Sequence, residues 1–427
     1  MLALLLFVFA SAIHSAPNDP RQFGPEGIVV SDQTSGQYAL SILAPHNIRI
    51  VWQNGYGDNP DLGMQVLDAT GRKLGGPRGI VIPRLGIQTQ PEQLSRNLVF
   101  QESADGRNWR VMLATVSAPE IACRVLSEEF GSIAEVSVLE TDLRSIVVCW
   151  IRSNDIERRL ELCIADRDLV HTITICKGTH AFQDVHMVAN GSLVTIVWSD
   201  FRDTQHPSVY GQVIDLDSMQ SLWPENGLNL APGISWAWNP EIAPTSDPGY
   251  VALAYDEWDG GFTTLCYQIV DYQMNFRFWP PITLSGPSAA IGQHAMAQFG
   301  AESFVVWEDD VDLHQAFVNF SGARVSGNQR IGARIDDLVA CASDLYAWAV
   351  WNDDRLGRID ERIFCQRFDR QHQSQWQESG LRVSTASGPQ RAPSVATVSE
   401  DPSALVIAWE DYRYHPMVPC VAAQLLK

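Results

Sequence analysis

The sequence predicts an all-β chain, a β-propeller of eight four-stranded blades. Three observations carry this. A β-forming run that ends in an aromatic residue recurs eight times. The same shorter signals follow it from copy to copy. The start of the chain resembles the one strand missing at its end.

The aromatic ends of the runs are Trp52, Phe100, Trp150, Trp198, Tyr255, Trp307, Trp351 and Trp409. Their spacing averages about 51 residues, a period of the kind that solenoids, propellers and arrays show. Each run, as in "VTIVW" and "SFVVW", is continuously apolar, as expected of a central strand covered on both faces. It is named strand b. Strand c carries Gln-x-x-Asp: Gln65 and Asp68, Gln212 and Asp215, Gln268 and Asp271, Gln366 and Asp369. Strand d is Gly- or Pro-led, as in "GPRGIVIP", "WPENGLNLA" and "WQESGLRVS". Strand a is short, apolar-then-small, and precedes the next b; Leu40-Ser41, Ile242-Ala243 and Val395-Ala396 are examples. Gly and Pro turns separate the runs, and no helical period is present. Seven blades follow instead if the run ending at Phe100 is not a true copy.

The chain's two ends test this reading. After Trp409 only "CVAAQLL" remains, a strand c without a strand d. The segment "FGPEGIVVS" at 23–31 reads as a strand d. It is expected to complete the last blade, close the ring and remove an exposed sheet edge.

Trp-x-Asp-x-Arg stands at 198–202, 351–355 and 409–413. Recurrence at the blade period marks it as part of the scaffold. The Trp fills the gap between blades. Asp200, Asp309, Asp353 and Asp411 cap turn N–H groups. Arg202, Arg355 and Arg413 pair with that Asp or its neighbour. On this reading Trp351→Ala destabilises strongly and Arg355→Ala little. Calcium loops need several oxygen ligands around a Gly turn, and no copy offers them. Trp-x-Asp-x-Arg, followed by "YGQVID" and a Gln/Pro-led strand such as "GPQRAPSVA", resembles the repeat of secreted bacterial β-propeller proteins. These are grouped loosely with sialidase-like propellers. The resemblance covers essentially all of 22–427 and implies the fold, with no agreed activity to carry over. "SADGRNW" at 103–109 is similar to the sialidase Asp-box but one residue short and between strands b and c. With no Phe-Arg-Ile-Pro motif either, sialidase activity is not expected.

The mature chain is strongly acidic, with a net charge of −20. That excludes nucleic acid, which needs basic patches, and anionic lipid surfaces. The apolar run from Leu2 to Ala10 is too short to span a bilayer. It fits a signal peptide over 1–16, followed by a single propeller domain over 17–427 and a secreted or periplasmic location. No other stretch fits a membrane span, and a monomer is expected. The eight Cys read as small buried hydrophobes. Cys149, Cys163 and Cys176 are the best candidates for a disulfide. There is no Cys-x-x-Cys and no metal-type pairing with His, so no cofactor or metal is expected.

Repeated residues build the ring, so functional residues are sought where the copies differ. At the entries to strand a stand Glu92, Glu135, His186, Glu241, His294 and Asp337, one from each of blades 2 to 7. Placed near one axis, they are expected to perturb one another's titration. His186, Glu241 and His294 together would offer a metal set as an alternative. Trp236 and Trp238 lie off the repeat. With Trp258 and Phe262 they suggest an aromatic platform. The leading expectation is a secreted, non-catalytic propeller that binds a glycan, peptide or protein partner on its loop face, through Trp236, Trp238, Trp258, Phe262, His186 and His294. The alternative is a glycoside hydrolase or lyase using carboxylates among Glu92, Glu135, Glu241 and Asp337.

Overall fold

The computed structural model describes residues 19–31, 36–44, 47–55, 60–82, 86–95, 97–117, 120–127, 130–141, 145–166, 169–203, 206–233, 236–286, 291–309, 311–329, 334–357 and 359–427. The expected signal peptide lies outside them. They form eight antiparallel sheets and no helix. Strand a of each sheet contacts strand a of both neighbours, and the series returns from blade 8 to blade 1. Eight sheets are therefore arranged around one axis, with strand a innermost. Phe100 is a true copy, fully buried at the same place as the tryptophans, so the count is eight and not seven.

There is no single core. Eight separate hydrophobic clusters form, each drawn from two neighbouring blades. The aromatic that ends each strand b always enters the cluster shared with the preceding blade. Trp198 of blade 4, for instance, packs with Leu160 and Leu162 of blade 3. The eightfold recurrence in sequence is thus one aromatic per blade interface.

The residues after the Trp follow from that burial. An indole N–H taken out of water needs an acceptor. Two positions on, the side chain lies on the same face of the strand. Trp198 Nε1 donates to Asp200 Oδ2 at 2.9 Å, and Trp351 and Trp409 do the same to Asp353 and Asp411, both at 2.8 Å. The buried carboxylate then needs a cation. Arg202, Arg355 and Arg413 supply it and also reach across to the carbonyls of Asn226, Ser379 and Glu26. The residue after each of these carbonyls is a glycine at positive φ: Gly227, Gly380 and Gly27. A Cβ on Gly227 or Gly380 would stand 2.6 Å from the indole. The Gly-led start of strand d is therefore the lid of the Trp pocket.

The strand c glutamine explains how so short a strand d is held. Gln366 Nε2 donates to Gln377 O at 2.8 Å while its Oε1 accepts from Trp376 N at 3.2 Å. Gln65, Gln212 and Gln268 clasp their own approach segments in the same way. In blade 8 the clasp joins the two ends of the described chain. Gln424 Nε2 donates to Gly24 O at 2.7 Å, and Phe23 N donates to Gln424 Oε1 at 2.9 Å. Ile28–Val29 pairs with Ala422 and Ala423 of Cys420–Leu426, so the segment read as a borrowed strand d closes the last blade.

The disulfide expectation fails, because all eight Cys are free. Strands b and c of blade 3 pair Cys149 with Leu162 and Val148 with Cys163. Cys149 and Cys163 are one residue out of register, so they point to opposite faces of the sheet. Cys176 shares a face with Cys149, but strand c lies between them. Two strand spacings, about 9–10 Å, exceed what a disulfide bridges.

Candidate functional site

Every strand a carries a bulge near its entry, between Trp238 and Glu241 in blade 5 for example. The first extra residue is left-handed in six blades without being glycine. Gln90, Glu135, Asp184, Asn239, Asp337 and Ala392 have φ between 48° and 55°. Each such residue costs about 1–2 kcal/mol. The bulge also turns a backbone N–H out of the sheet ladder. In several blades the preceding blade supplies the acceptor. Glu135 Oε2 accepts from Val185 N at 3.0 Å and Ser199 Oγ from Asn239 N at 2.9 Å. Gln293 Oε1 accepts from Leu338 N at 2.7 Å and Asp337 Oδ2 from Ala392 N at 2.9 Å. These bonds staple blade to blade around the axis.

The bulge corrects the set of axial residues. Glu92, His186, Glu241 and His294 do occupy one quasi-equivalent position, the first paired residue past the bulge. Glu135 and Asp337 do not. They are bulge residues, and the true equivalents in blades 3 and 7 are Ser137 and Val339. Glu135 and Asp337 spend a carboxylate oxygen on the inter-blade staple. Asp337 also accepts from Asn352 at 3.0 Å once that amide is oriented to satisfy both its atoms.

The remaining four differ in surroundings. Glu92 accepts only a 3.3 Å bond from Ser41 Oγ of blade 1. It is exposed to solvent, yet the protein packed around it raises its carboxyl to about 7. On the other side of the ring three of them gather on blades 4 to 6. His186 Nε2 lies 3.9 Å from Glu241 Oε1, both half-exposed. The His294 side chain is fully buried, with Nδ1 3.4 Å from Asp256 Oδ1 and 3.3 Å from Asn239 Nδ2. Burial opposes its charge, but Asp256, Glu241 and the Asn239 bond outweigh that and hold its pKa up. His294 Nε2 is buried with no hydrogen-bond partner, an atom that calls for a bound group. His186, Glu241 and His294 do not converge as metal ligands, since their ligand atoms do not all lie within 4.8 Å.

The aromatic residues lie at the mouth of the same blade. Strand a begins and strand b ends at one edge of blade 5, where Trp236 and Trp258 are cross-strand partners. Their rings meet edge to face, with centroids 4.8 Å apart, and both are half-exposed. Trp238 stands two residues further in, opposite Asp256. Phe262 is 50% exposed on the b–c turn, which Asp259 shapes by accepting from the N–H groups of Gly261 and Phe262. His206, on the b–c turn of blade 4, adds an edge contact to Trp236 at 6.2 Å. The sequence reading missed it, and nothing in its spacing marks it out. The "SADGRNW" segment is a b–c turn as well, built on Ser103 and Asp105.

A groove of about 680 Å³ opens elsewhere on the same face, between blades 2 and 3, and includes Arg107, Phe130, Asp155 and Ile156.

No family model matches the chain, and no curated protein matches it significantly. Solved propellers do match. Sqt1 of Chaetomium thermophilum, bound to the N-terminus of the ribosomal protein L10, gives a TM-score of 0.53 at 11% identity over 95% of this chain and 100% of that one. The Dos1 propeller gives 0.50 at 8% identity over 96% of both. The GH93 alpha-L-arabinofuranosidase of Fusarium graminearum, in complex with arabinobiose, gives 0.43 at 9% identity over 95% and 98%. Likeness at this level is a likeness of fold.

Proposed function

We propose that the protein is an exported, monomeric, non-catalytic propeller that binds a glycan, peptide or protein partner on the face carrying its b–c and d–a loops. One observation carries this reading. The four most exposed large hydrophobic side chains among the described residues are Ile359 at 85%, Ile156 at 81%, and Tyr414 and Met417 at 75%. All four sit on b–c turns. Phe262 and the Trp236–Trp258 pair open on the same face, so apolar surface collects at one end of the ring, as at interaction sites. Half-exposed indoles also suit stacking on a sugar ring.

A hydrolase or lyase reading rests on Glu92. A carboxyl held near neutrality is in the range of a general acid. The fold fits both readings. The deciding experiment is a glycan and peptide array, with a glycosidase and lyase screen, on the full chain. Binding without turnover, lost in Trp258→Ala and Ile359→Ser, is the expected result. Turnover that disappears in Glu92→Gln or Glu241→Gln would overturn it in favour of the enzyme.

A further inference from the structure

The three complete Trp-x-Asp-x-Arg turns are near copies, and one of them carries two additional side chains. Cys176 comes from the last strand of blade 3, Val170–Gly178, and His180 from the loop leading into blade 4. Both meet Asp200, at the end of strand b of blade 4. Their ligand atoms all lie within 4.8 Å of one another, and no other trio of His, Cys, Asp or Glu among the described residues does this. Neither Asp353 nor Asp411 has such company.

One pair of the three is already spaced as metal ligands are. His180 Nε2 stands 3.3 Å from Asp200 Oδ1. Two light-atom ligands at about 2.0–2.1 Å from a tetrahedral ion are about 3.3 Å apart. His180 Nε2 is buried and makes no hydrogen bond. Asp200 Oδ2 is used by Trp198 at 2.9 Å and Arg202 at 2.6 Å. Asp200 Oδ1 accepts one backbone N–H, from Arg202 at 2.8 Å, which leaves it a second lone pair. Burial and the Asp200 carboxylate push the Cys176 thiol up to about 11, against the Arg202 guanidinium 3.6 Å from its Sγ, so it is the incoming ion that must displace the thiol proton. Arg202 is anchored independently by Asn226 O at 2.8 Å and by the face of Tyr210 at 3.8 Å, so it need not leave when the site fills.

We propose that Cys176, His180 and Asp200 form a three-ligand site for a thiophilic divalent cation of the zinc class, seated between blades 3 and 4. A thiolate, an imidazole and one carboxylate suit zinc and disfavour magnesium or calcium. Filling the site forms a metal–sulfur bond and releases one proton from the Cys176 thiol to solvent. His180 contributes the Nε2 lone pair and keeps its proton on Nδ1. Asp200 binds through Oδ1 alone. The ion clamps the outer strand of one blade to the b–c turn of the next.

Titration of the reduced full chain with cobalt(II) tests this. One equivalent is expected to give the d–d absorption of a tetrahedral ion with a thiolate-to-cobalt charge-transfer band, and one equivalent of zinc should discharge both. Cys176→Ser removes the charge-transfer band, whereas Cys163→Ser, in the same blade, keeps it. His180→Ala weakens binding on the order of a hundredfold, the scale at which metal sites respond to a lost group. It leaves the Trp198–Asp200–Arg202 contacts intact, so it remains informative if the Cys176 variant fails to fold. A wild-type chain with no charge-transfer band, or a band that survives in Cys176→Ser, or unchanged affinity in His180→Ala, would overturn the proposal.

Discussion

The b–c turns of blades 7 and 5 are the same piece of architecture with opposite contents. In blade 7, Trp351, Asp353 and Arg355 satisfy one another. The indole donates to the carboxylate, Arg355 Nε donates to it at 2.8 Å, and the guanidinium stacks 3.8 Å above Phe364. In blade 5 the corresponding residues are Tyr255, Glu257 and Asp259. The Tyr255 hydroxyl is buried with no partner, there is no arginine, and Cys266 Sγ donates to Glu257 at 3.1 Å. In the complete turn the indole, the carboxylate and the guanidinium are spent on one another. The broken turn carries the half-exposed indoles and adjoins the unpartnered His294 Nε2. Completing the motif therefore stabilises the ring, and departing from it opens the indoles of blade 5, whereas the exposed Ile359 of blade 7 lies beyond its closed motif.

The largest expected effect lies in the closed turn. Trp351→Ala should lower stability by about 3–5 kcal/mol, as truncation of a buried aromatic does, read from chemical denaturation. Arg355→Ala comes next. The sequence reading expects little from it, but its side chain is 16% exposed over a carboxylate with no exposure at all. Stranding that charge should cost about 2–3 kcal/mol. A loss under half of that would show that the carboxylate finds water instead. Trp258→Ala in the open turn should cost about 1 kcal/mol or less, the scale of one aromatic pair, while abolishing ligand capture. A destabilisation matching that of Trp351→Ala would erase the contrast between the two turns.

The smallest effect is on pH dependence. Folded Glu92 keeps its proton up to about 7, against an ordinary 4.5. Between those values the folded chain binds more protons than the unfolded one. Its contribution to stability is complete below 4.5 and fades as pH rises through about 7. Glu92→Gln should flatten that part of a plot of melting temperature against pH. An unchanged slope would show that solvent at the axis already neutralises the burial.

Sequence reasoning reached the ring because its causes are local. The Asp two places beyond the Trp and the strand c Gln act within one blade, and the Trp, though it packs against the preceding blade, recurs at the blade period and so shows when the copies are aligned. The strand-a entries resisted for a definite reason. A bulge places two residues opposite one, so residues that look aligned by apolar pattern, Glu135 and His186 among them, sit in different registers. Left-handed Glu135 and Asp337 leave no compositional mark, since the usual signal for that backbone is glycine. The Cys176–His180–Asp200 group was illegible for another reason. Cys176 and Asp200 belong to neighbouring blades, and spacing rules for metal ligands are rules about single loops.

The bond from Phe23 to Gln424 joins residues 401 positions apart. Seven sheets draw all their strands from one continuous stretch of chain, so each can pair as soon as that stretch leaves the ribosome. Blade 8 cannot. Its outer strand, Ile28–Val29, is made before the other seven blades and its partner, Cys420–Leu426, after them. The cluster shared by blades 8 and 1 contains Phe23 and Val30 alongside Val421 and Leu425, so that apolar surface stays uncovered until the intervening blades have been made. Closing so long a loop is slow relative to local pairing. The unfinished ring presents a free sheet edge throughout that time, which makes the interval before closure, and not the finished toroid, the aggregation-prone stage of this chain's life.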